Sequence, residues 1–187
     1  GDAYLVALDR KTGKERWRTR RENNPRSYVT PIIREIDERT QMILSGSLCV
    51  ASYNPRNGKR HWIINGPTEQ FVASVVYNGE YVFVTSGYPE RHIVAIRPDG
   101  SGNVTDTHVA WRTNRGAAYV PSPIIVGPYL LVVADSGIAS CFDAKTGKRH
   151  WMERLPGGHS PSPVSADGLV YFVSDQGVTT IIRPSDT

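Results

Sequence analysis

The chain has 187 residues, of which 39% are hydrophobic and 21% charged, a balance that fits one globular unit and argues against wholesale disorder. With Gly 17 and Pro 13, chain breakers are dense, which favours many short elements over long helices. The net charge is +4, the longest apolar runs, such as Tyr129–Ala134, are far too short to span a bilayer, and no charged-then-apolar leader opens the sequence.

The first predicted elements, within residues 1–17, are two strands joined by the phrase Ala7-Leu8-Asp9-Arg10-Lys11-Thr12-Gly13-Lys14-Glu15-Arg16-Trp17. A basic stretch follows and overlaps it: Arg10, Lys11, Lys14, Arg16, Arg18, Arg20, Arg21 and Arg26 face only Glu15 and Glu22. Such a stretch can meet an anionic surface or blunt a sheet edge. No interleaved aromatics or groove-reading helix accompany it, so nucleic acid is not expected as a partner.

Residues 27–62 then predict a complete four-stranded unit. Thr30-Pro31-Ile32-Ile33 opens it, Gln41–Leu44 and Leu48–Tyr53 continue it, and Ser52-Tyr53-Asn54-Pro55-Arg56-Asn57-Gly58-Lys59-Arg60-His61-Trp62 closes it. Residues 71–112 repeat the order with strands at Ser74–Tyr77, Tyr81–Thr85 and His92–Ile96, but a polar insertion, Ser101–Thr107, delays Trp111. Residues 118–151 repeat it again, ending Cys141-Phe142-Asp143-Ala144-Lys145-Thr146-Gly147-Lys148-Arg149-His150-Trp151. Residues 159–187 supply first, second and third strands only, with Asp167-Gly168 as a tight-turn dipeptide.

The tryptophans stand 45, 49 and 40 residues apart, a period which, built from strand signals, predicts propeller blades. The fold class expected is all-β, a β-propeller of four-stranded antiparallel blades with about four blades present. The third-strand signal occurs at both ends, so closure into four blades would leave a surplus strand. The expectation is an arc of a ring of seven or eight blades, or two chains pairing edge to edge.

Cys49 and Cys141 lie in apolar strand runs without a CxxC partner, so both are expected to pack as small hydrophobes. His61 and His150 precede a tryptophan where Arg16 and Ala110 stand in other repeats, so neither is expected to bind metal. His92, His108 and His159 lack metal-ligand spacing, and Ser122, Ser160 and Ser162 lack a nucleophile-elbow context.

The recurring Ala-Leu-Asp-x-x-Thr-Gly-Lys-x-x-Trp phrase, with its Ser-Pro strand opening, resembles the PQQ-type β-propeller repeat over nearly the whole chain. That family includes quinoprotein dehydrogenases and a non-enzymatic lipoprotein of the outer-membrane barrel-assembly machinery. The resemblance implies that Trp17, Trp62, Trp111 and Trp151 dock adjacent blades with Gly13, Gly58 and Gly147. Asp9, Asn54 and Asp143 would then accept backbone N–H groups in the turn, a role that Arg97 and Arg183 cannot repeat.

The dehydrogenases of this family use adjacent cysteines, a Glu/Asn/Asp calcium shell and an Asp base, none of which can be placed here by motif. The function expected by resemblance is therefore a non-catalytic, cofactor-free module for protein binding or scaffolding, periplasmic or otherwise extracytoplasmic. Protein partners are expected, with self-association or further blades beyond this chain as added possibilities. The alternatives are a fragment of a PQQ-dependent dehydrogenase and an extracytoplasmic sensor domain of a membrane kinase. Candidate partner contacts are the loops that vary between blades: Arg34–Arg39, Gly87–Arg91, Ser101–Thr107 and Arg18–Arg26. Within them Arg18, Arg20, Arg21, Arg26, Arg39 and Arg91 carry the charge.

Overall fold

The computed structural model describes residues 3–21, 27–66 and 68–187, and no helix occurs among them. Strands β1 (Tyr4–Leu8) and β2 (Glu15–Arg20) form a two-stranded sheet. The second sheet runs β3 (Ile32–Ile36), β4 (Arg39–Gly46), β5 (Cys49–Tyr53) and β6 (Arg60–Asn65) in chain order. The third holds β7 (Val76–Tyr77), β8 (Val82–Ser86) and β9 (His92–Ile96); β10 (Gly102–Asn103) then leaves it before β11 (Val109–Thr113) completes it. The fourth comprises β12 (Ile124–Val126), β13 (Tyr129–Val133), β14 (Ile138–Asp143) and β15 (Arg149–Arg154). The fifth has β16 (Val164–Ala166), β17 (Leu169–Val173) and β18 (Thr179–Ile182). Within each sheet, strands consecutive in the chain pair antiparallel, which is the blade architecture of a β-propeller.

The apolar runs follow from where successive side chains go. In β13, Leu130 and Val132 enter the core against the third sheet, while Leu131 and Val133 enter the core against the fifth. In β9, Val94 and Ile96 pack toward the second sheet, and Ile93 and Ala95 toward the fourth. A period-2 strand covered on both faces needs apolar residues at every position. The hydrophobic core is thus divided into seams, one between each pair of neighbouring sheets.

Every pairing of third with fourth strand carries a β-bulge at one place. Ala7, Ser52, Ala95 and Cys141 pair with Trp17, Trp62, Trp111 and Trp151, and the register then shifts by one residue. The extra residue is Arg16, His61, Ala110 or His150. A bulged residue has no cross-strand partner, which is why that position tolerates such unlike side chains. The residue opposite each indole is always small.

Three expectations are corrected. The fourth strands do not end at tryptophan; each runs on beyond it, to Arg20, Asn65, Thr113 and Arg154. Arg34–Arg39 is not a loop, because Asp37 and Glu38, at φ 48 and 60, form a tight left-handed turn and leave Arg39 inside β4. Ser101–Thr107 is not a projecting loop either. Its Gly102 and Asn103 pair parallel to Trp62 and Ile63 of β6, and Val104 is buried in the seam between the second and third sheets.

Candidate functional site

The recurring chemistry of the repeat phrase is spent on the seams. At the first seam, the Trp17 indole N–H donates to the Pro55 carbonyl at 3.0 Å, and Thr19 Oγ1 donates to the Gly58 carbonyl at 2.8 Å. A Cβ on Gly58 would lie 2.5 Å from Trp17 Cε3. At the third seam, Trp111 donates to the Ala144 carbonyl at 3.0 Å, and a Cβ on Gly147 would lie 2.5 Å from Trp111 Cδ2. Trp151 donates to the Ser185 carbonyl at 3.1 Å, just beyond the last strand of the fifth sheet. Each tryptophan thus brings apolar area and a satisfied N–H to the next blade.

The second seam is built differently. Trp62, fully buried, donates to Gln41 Oε1 at 2.8 Å, and Gln41 Nε2 passes the bond on to the Pro98 carbonyl at 2.9 Å. Ser52 Oγ donates to the same Gln41 oxygen at 2.7 Å. The Gly100 surface here faces Val104 of the insertion and His108 rather than an indole. Gln41 and the Ser52 hydroxyl were missed by sequence reasoning. The one signal was a glutamine in a run that is otherwise apolar.

Asp9, Asp143 and Asn54 hold the turns. Asp9 Oδ1 accepts the Lys11 and Thr12 N–H groups and the Thr12 hydroxyl at 3.1, 2.9 and 2.9 Å. Asp143 Oδ1 accepts the Thr146 N–H and hydroxyl, both at 2.7 Å, and Asn54 Oδ1 accepts the Arg56 N–H at 2.8 Å. The bonds from Thr12 hold the Asp9 carboxyl below its ordinary range, and those from Thr146 do the same for Asp143.

A second set of polar contacts joins the segments that open the inner strands. The Ser74 N–H donates to Ser122 Oγ and the Ser122 N–H donates to Ser162 Oγ, each at 2.9 Å, so the Ser openings form a ladder from blade to blade. The Asp135 carboxylate accepts the Tyr119 and Val120 N–H groups, and Asp175 accepts that of Ser160. His159 stands three residues before Ser162, as Phe71 and Tyr119 stand before Ser74 and Ser122. It is buried there like an aromatic packing residue.

The basic candidates disperse. Arg18 and Arg20 lie in β2; Arg18 pairs with Glu15 at 2.6 Å and covers the Tyr4 ring at 4.1 Å, while Arg16 reaches Asp9 at 3.3 Å. Arg21 is 4% exposed beside Tyr53, so it offers no partner a surface. Burial pushes the Tyr53 phenol above its ordinary value, and the Arg21 guanidinium opposes that shift. Arg39 donates to the Asp99 and Gly100 carbonyls across the second seam and serves packing instead of a partner. Arg26 lies outside the described residues. Arg91 is exposed on its loop.

Cys141 is buried, and burial pushes its thiol up to about 12. Among the described residues no three His, Cys, Asp or Glu side chains gather as a metal-holding group.

One loop cluster stands apart from this self-packing. The Leu48 N–H donates to the Thr68 carbonyl, Thr68 Oγ1 and the Gln70 N–H both donate to the Tyr88 carbonyl, and Tyr119 Oη donates to Gln70 Oε1. These bonds tie the turns of the second and third blades to the segments leading into the third and fourth. The ledge they form leaves Leu48 47% and Tyr88 54% exposed, with Tyr28 65% exposed beside Ser27, which donates to the Ser45 carbonyl. Next to it a cleft of about 530 Å³ is lined by Glu90, His92, Arg112, Thr113 and Asn114.

Comparison with known proteins places this geometry. No match was found among curated proteins. Among solved structures the chain is similar to BamB from Moraxella catarrhalis, with 18% identity and a TM-score of 0.67 over 96% of this chain and 55% of that one. The computationally designed Ika8 protein gives 8% and 0.68 over 95% and 51%, and quinohemoprotein alcohol dehydrogenase from Comamonas testosteroni 13% and 0.67 over 91% and 38%. At these identities the likeness is one of fold, and the chain spans about half the length of the first two or less of the third. The sequence itself matches the family described as outer membrane protein assembly factor BamB over residues 1–105 and again over 67–186. With repeat phrase, blade pairing and indole seams all in place, the chain belongs to the family of the outer membrane protein assembly factor BamB.

Proposed function

We propose that this chain is a non-catalytic propeller module that binds a protein partner outside the cytoplasm, in an assembly role similar to that named for its family. The observation that carries the reading is the ledge. The repeat phrase is consumed by contacts between blades, whereas Leu48, Tyr88 and Arg91 stand on turns that differ from blade to blade and spend their side chains on nothing within the chain's core. Exposed aromatic and arginine side chains on a rigid, hydrogen-bonded base are the anchors that protein interfaces favour. The dehydrogenase reading is supported by likeness of fold alone.

The test is a double variant, Tyr88→Glu with Arg91→Glu, carried in the native host on a tagged protein. Its melting temperature should match that of the parent, since neither side chain is in the core, while a protein that co-purifies stoichiometrically with the parent should be lost. Unchanged co-purification would show that the ledge is not the contact.

A further inference from the structure

Two buried side chains of the first seam are polar where other copies of the repeat are apolar. Four residues past its tryptophan the fourth blade has Leu155, 6% exposed in the apolar cluster against the fifth sheet, whereas the first blade has Arg21, 4% exposed. One residue before the start of the turn the other copies have Leu8, Ile96 and Phe142, whereas the second has Tyr53, buried in the first seam. Hydrocarbon meets the packing need at both places, so the guanidinium and the phenol hydroxyl call for another reason.

The two groups meet. The Arg21 guanidinium hydrogen-bonds the Tyr53 phenol, and Arg60 brings a second positive charge to the same oxygen. Arg21 can only donate, so Tyr53 Oη accepts and its own hydrogen is left to be given to a third group. Arg21 Nε and Nη2 find no hydrogen-bond partner among the described residues. These two N–H groups form one edge of the guanidinium. On Arg18 the same edge takes the Glu15 carboxylate, at 3.1 Å from Nε and 2.6 Å from Nη2. A guanidinium buried away from any anion is costly, and one nearby offsets that cost.

Tyr53 and Arg60 also line a cleft of about 420 Å³ at the outer rim, where β2, β6 and the insertion of the third blade converge. Arg20, His61 and the Ser101 hydroxyl complete its polar wall, and no carboxylate is among its lining residues. The geometry points to a site for a phosphate group in this cleft. Arg20 and Arg60 hold the phosphate at the mouth, the Tyr53 and Ser101 hydroxyls donate to it, and Arg21 supplies positive charge from behind, where water screens it least. A dianion suits a wall with three guanidinium groups at or behind it better than a single carboxylate does. The ligand is inorganic phosphate or the phosphate of a small ester. The inference is independent of the ledge and its partner.

The test is equilibrium dialysis of the whole natural chain against radiolabelled inorganic phosphate in chloride buffer, with melting curves in the same solutions. One phosphate per chain should bind with a Kd of about 1 mM or tighter. Acetate, with a single charge, should compete at least about tenfold less well. Glycerol phosphate separates the two sources: competition equal to or better than that of phosphate assigns an organic ester, and weaker competition assigns the free ion. Arg21→Leu should weaken the binding about tenfold or more, yet melt in phosphate-free buffer at the parent's temperature or above, because Leu155 shows that an apolar residue fits this place in the repeat. Arg60→Gln, at the mouth, should weaken the binding by a similar factor. Absence of saturable binding, acetate competing as well as phosphate, or binding indifferent to either variant would overturn the proposal. So would an Arg21→Leu protein that melts below the parent without phosphate, since Arg21 would then be paired within the chain.

Discussion

A methyl group added at Gly58 would be forced against Trp17 in a backbone at φ 73, whereas the same methyl at Gly13 would meet open space. Gly58→Ala should therefore cost about 1–3 kcal/mol from overpacking beyond the roughly 1–2 kcal/mol of the left-handed backbone, and Gly13→Ala only the latter. Urea unfolding of the two variants checks the difference, and equal losses would mean that the indole contact contributes nothing. Gln41 offers a second residue-level test. Gln41→Leu leaves the Trp62 N–H, the Ser52 hydroxyl and the Pro98 carbonyl without their shared partner in a buried seam. Stranding buried polar groups costs about 1–3 kcal/mol each when they find no water, so a total loss of at least about 2 kcal/mol is expected in the same measurement. The thiols give a third. Cys49 and Cys141 are buried, and burial disfavours the thiolate of Cys141, so neither should react with a disulfide reagent at pH 8 until denaturant is added. Labelling of Cys141 in the native state would contradict the packing described for the fourth seam.

At the scale of the element, the turns bring a pH dependence. The folded-state carboxyl of Asp143 lies below its ordinary value because the Thr146 hydroxyl and N–H donate to it. A lowered folded value means that the turn contributes stability at neutral pH and loses it as the pH falls through that value. Asn54 holds the equivalent turn with an amide, which does not titrate. Asp143→Asn should therefore flatten the fall in unfolding free energy between about pH 5 and pH 2 while changing little at pH 7. An equally steep fall in the variant would place the acid sensitivity elsewhere.

The elements also show what could be read in advance. The four-strand order was legible because short apolar runs, tight-turn dipeptides such as Asp167-Gly168 and the tryptophan phrase all agree locally. The Asp37-Glu38 hairpin was not, since it adopts left-handed φ without glycine, so the loop was drawn too wide and Arg39 was placed on it. The β10 pairing was invisible for another reason. A two-residue strand that adds parallel to a different sheet leaves no periodic signal, and only Val104 hints at burial within the polar insertion. The bulge before each tryptophan was present in the sequence as a position holding Arg16, His61, Ala110 and His150, and its tolerance is now explained by the missing cross-strand partner.

For the whole molecule, the apolar side-chain packing lies in the seams between sheets. Each seam couples an apolar cluster to an indole bond, and the third and fourth seams add a bond of the serine ladder. This division explains why so little of the candidate site was legible. The residues that recur are the ones that hold blades together, and the surface proposed for a partner lies where the repeat does not recur, at Leu48, Tyr88 and Arg91. Of the expected contact loops, Gly87–Arg91 holds Tyr88 and Arg91, whereas in Arg18–Arg26 the Arg18 side chain is paired with Glu15 and Arg21 is buried. The measurement that bears most directly on a binding role without catalysis is a titration of the purified protein with pyrroloquinoline quinone in the presence of calcium, followed by absorbance and by dye-linked oxidation of a primary alcohol. The expected result is no saturable quinone complex and no turnover. A stoichiometric complex that oxidises the alcohol would contradict the non-catalytic reading and make this propeller an enzyme.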